Sequence, residues 1–264
     1  MCTVQRAAAT EAMVMSELDQ LLAQIDSLKS RLDDVRPLTS VQLQQAMDIA
    51  YTYESNRIEG NTLTLRETDL VVNKGLTVGG KSMREHLEAL NHYEAILYIR
   101  ELAGQAATLD ERQVRSIHAL VLRGIDRDNA GRYRSLPVMI AGSRHLPPQP
   151  WAVPKLMEAY GLWLCGESLE LHPVVRAAEA HERLVSIHPF LDGNGRTARL
   201  VMNLILLSHG YAIANIPGDT DSRRAYYDAL EKVNLAGDRS GFIMLIAGHV
   251  RDAIQTLLQR LGAA

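Results

Sequence analysis

The chain has 264 residues with 28 Lys+Arg against 31 Asp+Glu, a formal charge of −3, and 47% of its residues are hydrophobic. Lys and Arg are not in excess, which argues against a protein whose affinity for nucleic acid or anionic membranes comes from clustered positive charge, so neither is expected as a partner. Two cysteines, Cys2 and Cys165, are too few for a disulfide framework or a thiolate zinc site, and the apolar runs Leu200 to Leu207 and Phe242 to Gly248 are too short to span a bilayer. Glu11 and Glu17 interrupt the only N-terminal apolar patch that could resemble a secretory leader, so a cytoplasmic protein with reduced thiols is expected.

The dominant period is helical. From Met15 to Val35, Leu18, Leu21, Leu22, Ile25, Leu28, Leu32 and Val35 recur at steps of three and four, which predicts an amphipathic helix ended by Pro37. Thr39 or Ser40 caps a second helix that carries Ser55 and Glu59 and stops at Gly60-Asn61. Ser82 with Glu85, and Thr108 with Glu111, form reciprocal capping signals for two further helices. Val138-Met139-Ile140 and Arg144-His145-Leu146 flank Ala141-Gly142-Ser143 and predict a β-hairpin closed by Pro147 and Pro148. Five more helical segments follow, within Pro154–Leu164, Pro173–Ile187, Asn194–His209, Ser222–Ala236 and Gly241–Leu261. The expected fold class is therefore all-α, with one short hairpin and an N-terminal helical extension over 1–62 preceding a main unit over 63–264.

One segment breaks the helical pattern: His188-Pro189-Phe190-Leu191-Asp192-Gly193-Asn194-Gly195-Arg196-Thr197-Ala198-Arg199. A glycine-containing turn feeding a helix start presents unpaired N–H groups and the positive end of the helix dipole, which together favour an anion. Arg196 and Arg199 lie on one face of the first turns, where the dipole opposes a positive side chain, and a multiply charged anion would offset that cost. Asp192 beside a phosphate calls for a divalent cation between them. His188 lies on the stripe Val174, Ala178, His181, Val185, His188, beside the anion site, and an imidazole with an ordinary pKa of about 6.5 suits proton abstraction near neutral pH.

This order of residues resembles the Fic signature, His-Pro-Phe-x-Asp/Glu-Gly-Asn-Gly/Lys-Arg-x-x-Arg, at every specified position. The resemblance implies a helical Fic fold and transfer of AMP from ATP, with Mg2+, to a Ser, Thr or Tyr hydroxyl of a target protein. It assigns His188 as general base, Asp192 as the metal ligand, Gly193, Asn194 and Gly195 as the phosphate cradle, and Arg196 and Arg199 to the β- and γ-phosphates. It extends over roughly 63–261 and makes the predicted hairpin, with Val138, Met139, Ile140, Arg144 and His145, a flap that aligns the target's backbone. Tyr227 and Asn234, seven apart on one helical face, fall where relatives hold adenine.

Ser55-x-x-x-Glu59-Gly60 is similar to the inhibitory motif of the Fic subclass whose autoinhibitory helix precedes the catalytic unit. The resemblance implies that Glu59 pairs with Arg199 and competes with the γ-phosphate for the same donors. Removal of AMP from a modified protein, with Glu59 positioning water, and transfer of another nucleotide are the alternative chemistries of the same site. Self-modification is expected by family analogy, and a homodimer by analogy alone.

Overall fold

The computed structural model describes residues 2–105 and 108–263, which among them form ten α-helices and no strand. In chain order these are α1 (Cys2–Val35), α2 (Val41–Ile58), α3 (Leu65–Lys74), α4 (Met83–Gly104), α5 (Glu111–Val121), α6 (Val153–Cys165), α7 (Pro173–Ile187), α8 (Asn194–Ser208), α9 (Thr220–Ala236) and α10 (Ser240–Arg260). The all-α class expected from the apolar period is the observed one. Among the described residues no helix is long and apolar enough to cross a membrane.

Helix α8 is the axis of the molecule. Leu200, Val201, Met202, Leu204, Ile205 and Leu206 are all buried, and a helix apolar on every side must be enclosed by others. Helices α2, α4, α5 and α7 enclose it, so its N-terminus opens where the ends of these helices meet. The stripe Leu22, Ile25, Leu28 and Leu32 of α1 is buried in the same hydrophobic core and packs along α10, with Arg31 donating to the Ala263 carbonyl at 2.8 Å.

Local signals explain most helix starts. Ser40 Oγ accepts from the Leu43 N–H, and Ser82 forms a capping box with Glu85. Helix α5 differs from expectation: its cap is Asp110, boxed with Gln113, rather than Thr108, because the Asp110 carboxylate accepts from both Arg112 and Gln113 N–H groups. Helix α3 was not expected, although Thr64 and Glu67 form the same capping box and Gly75, at φ +62°, closes it. The expected hairpin is reduced to its turn. Ser143 N–H bonds the Ile140 carbonyl at 3.1 Å, but the flanking residues form no ladder, and the side after the turn is tied to helices α9 and α7 through Arg144 and His145 instead.

Several histidines are buried inside this bundle. Burial pushes His92 and His181 well below the ordinary imidazole value, with Arg199 adding to the effect, and takes His118 and His188 down to about 4. The unfolded chain therefore binds more protons than the native state below pH 6.5, and stability is lost as pH falls toward the native values, at roughly 1.4 kcal/mol per group and pH unit. Asp48 and Glu182, raised by burial, act in the opposite sense over the carboxylate range. Urea unfolding followed at pH 7.5, 6.5 and 5.5 should show a falling unfolding free energy; a flat profile would mean that these rings are protonated in the native state.

Candidate functional site

The turn from α7 into α8 is shaped by two left-handed residues. His188 ends α7 at φ +49°, ψ +58°, the single non-glycine residue with positive φ among those described, and Gly193 precedes α8 at φ +77°. A left-handed conformation costs a residue with a side chain free energy, and it persists where the surroundings overdetermine it. Here they do. Asn194 Oδ1 accepts from the Phe190 N–H at 3.0 Å while its Nδ2 donates to the Phe190 carbonyl at 2.9 Å, closing the loop across four residues. The Phe190 ring is fully buried and stacked on His118 of α5, centroids 3.6 Å apart. His118 Nδ1 accepts from the Gly131 N–H, which leaves its Nε2–H to donate to the Asp192 carbonyl at 2.9 Å. The Asn194 side chain is thus committed to the loop, and what this residue offers an anion is its backbone N–H at the start of α8.

Arg199 is 1% exposed, and α2 takes up its hydrogen-bonding capacity. Nε donates to Ser55 Oγ at 3.0 Å, and Nη2 to the Ser55 carbonyl and to Glu59 Oε1, both at 2.8 Å. On its other side, Nη1 reaches the Tyr226 hydroxyl at 3.4 Å, which sits 2.9 Å from His181 Nε2. Burial would discourage the charge on Arg199, but the Glu59 carboxylate together with the Tyr226 and Tyr51 hydroxyls outweighs it, so the guanidinium stays charged. A Cβ on Gly195 would collide with the Glu59 carboxylate, so glycine at this position leaves the carboxylate room beside the first turn of α8.

Arg196 is also buried, with Nη1 3.2 Å from Glu88 and Nη2 3.4 Å from Asp192, yet its Nε and Nη1 have no hydrogen-bond partner. Buried donors left unpaired are costly, and an anion at the α8 N-terminus is the kind of group that would satisfy them. Asp192 keeps a half-exposed carboxylate that pairs with both Arg196 and Arg84 of α4. Burial acts to raise its pKa, and Arg196, the Gly193 N–H and Arg84 outweigh that, holding the carboxyl below its ordinary value.

A cavity of about 820 Å³ runs beside these groups, lined by Glu59, His188, Gly195 and Arg199 and also by Tyr227 and Asn234. His188 is less basic than its ordinary value suggests: burial lowers it to about 4, with the Arg134 charge adding to the effect, so the ring is neutral at physiological pH. The Tyr227 ring lies 5.3 Å from Tyr226 and under the Arg223 guanidinium, and its hydroxyl donates to the Ile58 carbonyl at the end of α2. Asn234 Oδ1 accepts from Ser186 Oγ at 2.5 Å.

The 132–152 segment forms a strap over the cavity. Ile140 lines it and Val138 is half-buried, whereas Met139 points to solvent at 86% exposure. Glu231 of α9 accepts from both the Arg144 N–H and its guanidinium, and His145 Nε2 lies 2.9 Å from the Ser186 carbonyl of α7. Sequence reasoning missed Arg84, Glu88, His118, Arg134, Tyr226 and Glu231. Each acts through a partner more than 20 residues away, and their only sequence signal was polarity at positions of a helix or loop that the apolar period left unassigned.

Residues 108–206 match the Fic/DOC family profile. Over 252 residues the chain is 40% identical to a protein named Protein adenylyltransferase Fic from Nematostella vectensis, covering 92% of this chain and 57% of that protein. A protein of the same name from Drosophila erecta is 37% identical over 242 residues, covering 89% and 48%. The chain thus spans about half the length of these curated relatives. Among solved structures, a fragment of Fic-1 from C. elegans superposes with a TM-score of 0.85 at 30% identity, over 97% of this chain and 76% of that one. A Fic domain containing signaling protein from Bacteroides thetaiotaomicron gives 0.79 at 27% identity, over 90% and 98%.

The low basicity of His188 is directly measurable. Its ring C–H resonances in the resting protein should stay unchanged between pH 8 and 5.5, and a titration midpoint between 6 and 7 would contradict the buried, neutral ring.

Proposed function

We propose, for a chain that belongs to the Fic/DOC family, that it is an autoinhibited adenylyltransferase moving AMP from ATP to a hydroxyl of a protein, itself included. The target hydroxyl attacks the α-phosphorus, the bond to the bridging oxygen of the β-phosphate breaks, and pyrophosphate leaves. Neutral His188 accepts the hydroxyl proton, and a ring held in its base form at neutral pH is ready for that role. The α8 N–H groups with Gly193, Asn194 and Gly195 cradle the phosphates, and Arg196 and Arg199 stabilise the charge that develops on the leaving group. Tyr227 and Asn234 hold the adenine end, and Val138, Met139, Ile140, Arg144 and His145 form the target-docking flap.

The donor set fits Mg2+. Among the described residues no three His, Cys, Asp or Glu side chains could hold a metal by themselves, and magnesium in nucleotide sites uses one or two carboxylates with phosphate oxygens. Asp192 would supply the carboxylate, and the ion would neutralise phosphate charge. Arg84 and Arg196 now share that carboxylate, and each would compete with a bound ion for it.

The observation that carries the brake is the occupation of Arg199 by Ser55 and Glu59 from α2. A γ-phosphate in its productive position needs the same donors, so it and the Glu59 carboxylate exclude each other there. On this reading residues 1–62 are a regulatory extension and 63–264 the catalytic unit. Removal of AMP is the second reading, because the Glu59 carboxylate and His188 line the same cavity and could position and deprotonate a water between them.

With α-labelled ATP and Mg2+, the wild type should label protein slowly and Glu59→Gly about tenfold faster or more, since each 1.4 kcal/mol of removed competition is worth a factor of ten. Adding His188→Ala should reduce the label on the order of 10²-fold or more. No gain from Glu59→Gly would remove the brake, while release of AMP from labelled protein by the wild type would favour the second reading. In the Glu59→Gly background, Arg84→Ala should lower the half-saturating Mg2+ by up to about fivefold, matching the 0.2–1 kcal/mol of a half-exposed ion pair. An unchanged Mg2+ requirement would mean that Arg84 does not compete at Asp192.

A further inference from the structure

Arg134 lies outside every role assigned above, yet it is 3% exposed and has no carboxylate within ion-pair distance among the described residues, burial being the sole influence on its charge. A buried guanidinium without a counter-charge is expensive, and burial accordingly depresses its pKa. What holds it is a set of main-chain carbonyls. Nε donates to the His188 carbonyl at 2.7 Å, Nη1 to the Leu136 carbonyl at 3.2 Å and Nη2 to the Pro148 carbonyl at 2.5 Å. Its own backbone N–H donates to the Pro189 carbonyl at 2.9 Å. One planar fork therefore joins the left-handed His188 to both legs of the strap, at Leu136 before the turn and at Pro148 after it. The neighbouring Tyr133 ring packs 5.7 Å from Phe190, so consecutive side chains grip the same loop.

We propose that Arg134 is a positioning residue for the transfer step: it fixes the His188 ring relative to the strap that presents the acceptor hydroxyl. This rests on the reading of His188 as the base and of the strap as the acceptor's docking edge. None of its bonds reaches Asp192, Arg196, Arg199 or the first turn of α8, so its effect falls on the acceptor half of the reaction and spares nucleotide binding. Lysine does not replace it, because an ammonium radiates its donors from one atom and cannot span three carbonyls held by a flat fork.

The test uses Glu59→Gly as parent, with Arg134→Lys and Arg134→Ala added separately. Affinity for the Mg2+ complex of a non-hydrolysable ATP analogue should stay within about twofold, while self-labelling from α-labelled ATP falls roughly 30-fold or more, since misplacing reacting groups by about 1 Å costs on the order of 10²-fold. Millimolar methylguanidinium should restore the Ala variant about fivefold or more, and the Lys variant not at all, by refilling only the vacated fork site. Labelling equal to the parent would overturn the inference, as would a parallel loss of analogue binding and labelling without rescue, which describes a structural clip. If the parent itself transfers no label, the enzymatic reading fails. The positioning inference is then decided by the His188 ring C–H resonances in the wild-type background, which Arg134→Lys displaces if the inference holds and leaves in place if it does not.

Discussion

A buried positive charge organises this molecule. Arg199 sits on the helix that the rest of the bundle encloses, and a guanidinium at 1% exposure must be answered by an anion or by several oxygen atoms. In the resting structure α2 provides both, through the Ser55 carbonyl and hydroxyl and the Glu59 carboxylate. The same requirement makes α2 exchangeable: a phosphate is the other anion whose geometry suits the fork. On the proposed reading, α2 and a phosphate would alternate as the partner of this charge. Tyr227 also meets α2, because its hydroxyl bonds the Ile58 carbonyl in the last turn of that helix, next to Glu59.

The loop before α8 solves a second problem, that of holding backbone N–H groups and an unfavourable left-handed histidine in place without regular structure. It does so with side chains borrowed from elsewhere: Asn194 across the loop, His118 beneath Phe190 and against the Asp192 carbonyl, and Arg134 on the His188 carbonyl. These contacts are buried and point at main-chain atoms, so they define where the backbone runs and leave the functional side chains free. The same surroundings keep His188 neutral, which trades intrinsic basicity for certainty of protonation state. On the proposed reading, such a ring would take its proton from a hydroxyl whose acidity rises as it attacks phosphorus.

Much of this was legible in the chain. The steps of three and four set the helices, local capping pairs set most of their starts, and the twelve residues from His188 to Arg199 announced an anion site by chemistry confined to one turn and one helix start. These are short-range properties, for which residue spacing along a helix is nearly a spatial coordinate. Helix α3 was equally local and carried its own Thr64–Glu67 box, but it was too short and polar for the apolar period to register.

What tertiary structure alone decided is where the long-range partners meet. That Glu59 reaches Arg199 across 140 residues was implied by resemblance, and no spacing rule encodes it. The strap reads as a hairpin from its β-formers and small-residue turn, yet Arg134 bonds the Leu136 and Pro148 carbonyls on its two legs while Glu231 and Ser186 claim Arg144 and His145 on the second, and no strand ladder forms. Asn194 looked like part of an anion cradle and spends its side chain on Phe190. His188 carried an ordinary imidazole pKa until the packing around it removed water. Sequence determines the periods, caps and kinds of chemistry on offer because these depend on neighbours along the chain; burial, pKa and the choice among competing hydrogen-bond partners depend on neighbours in space, and those exist only after folding.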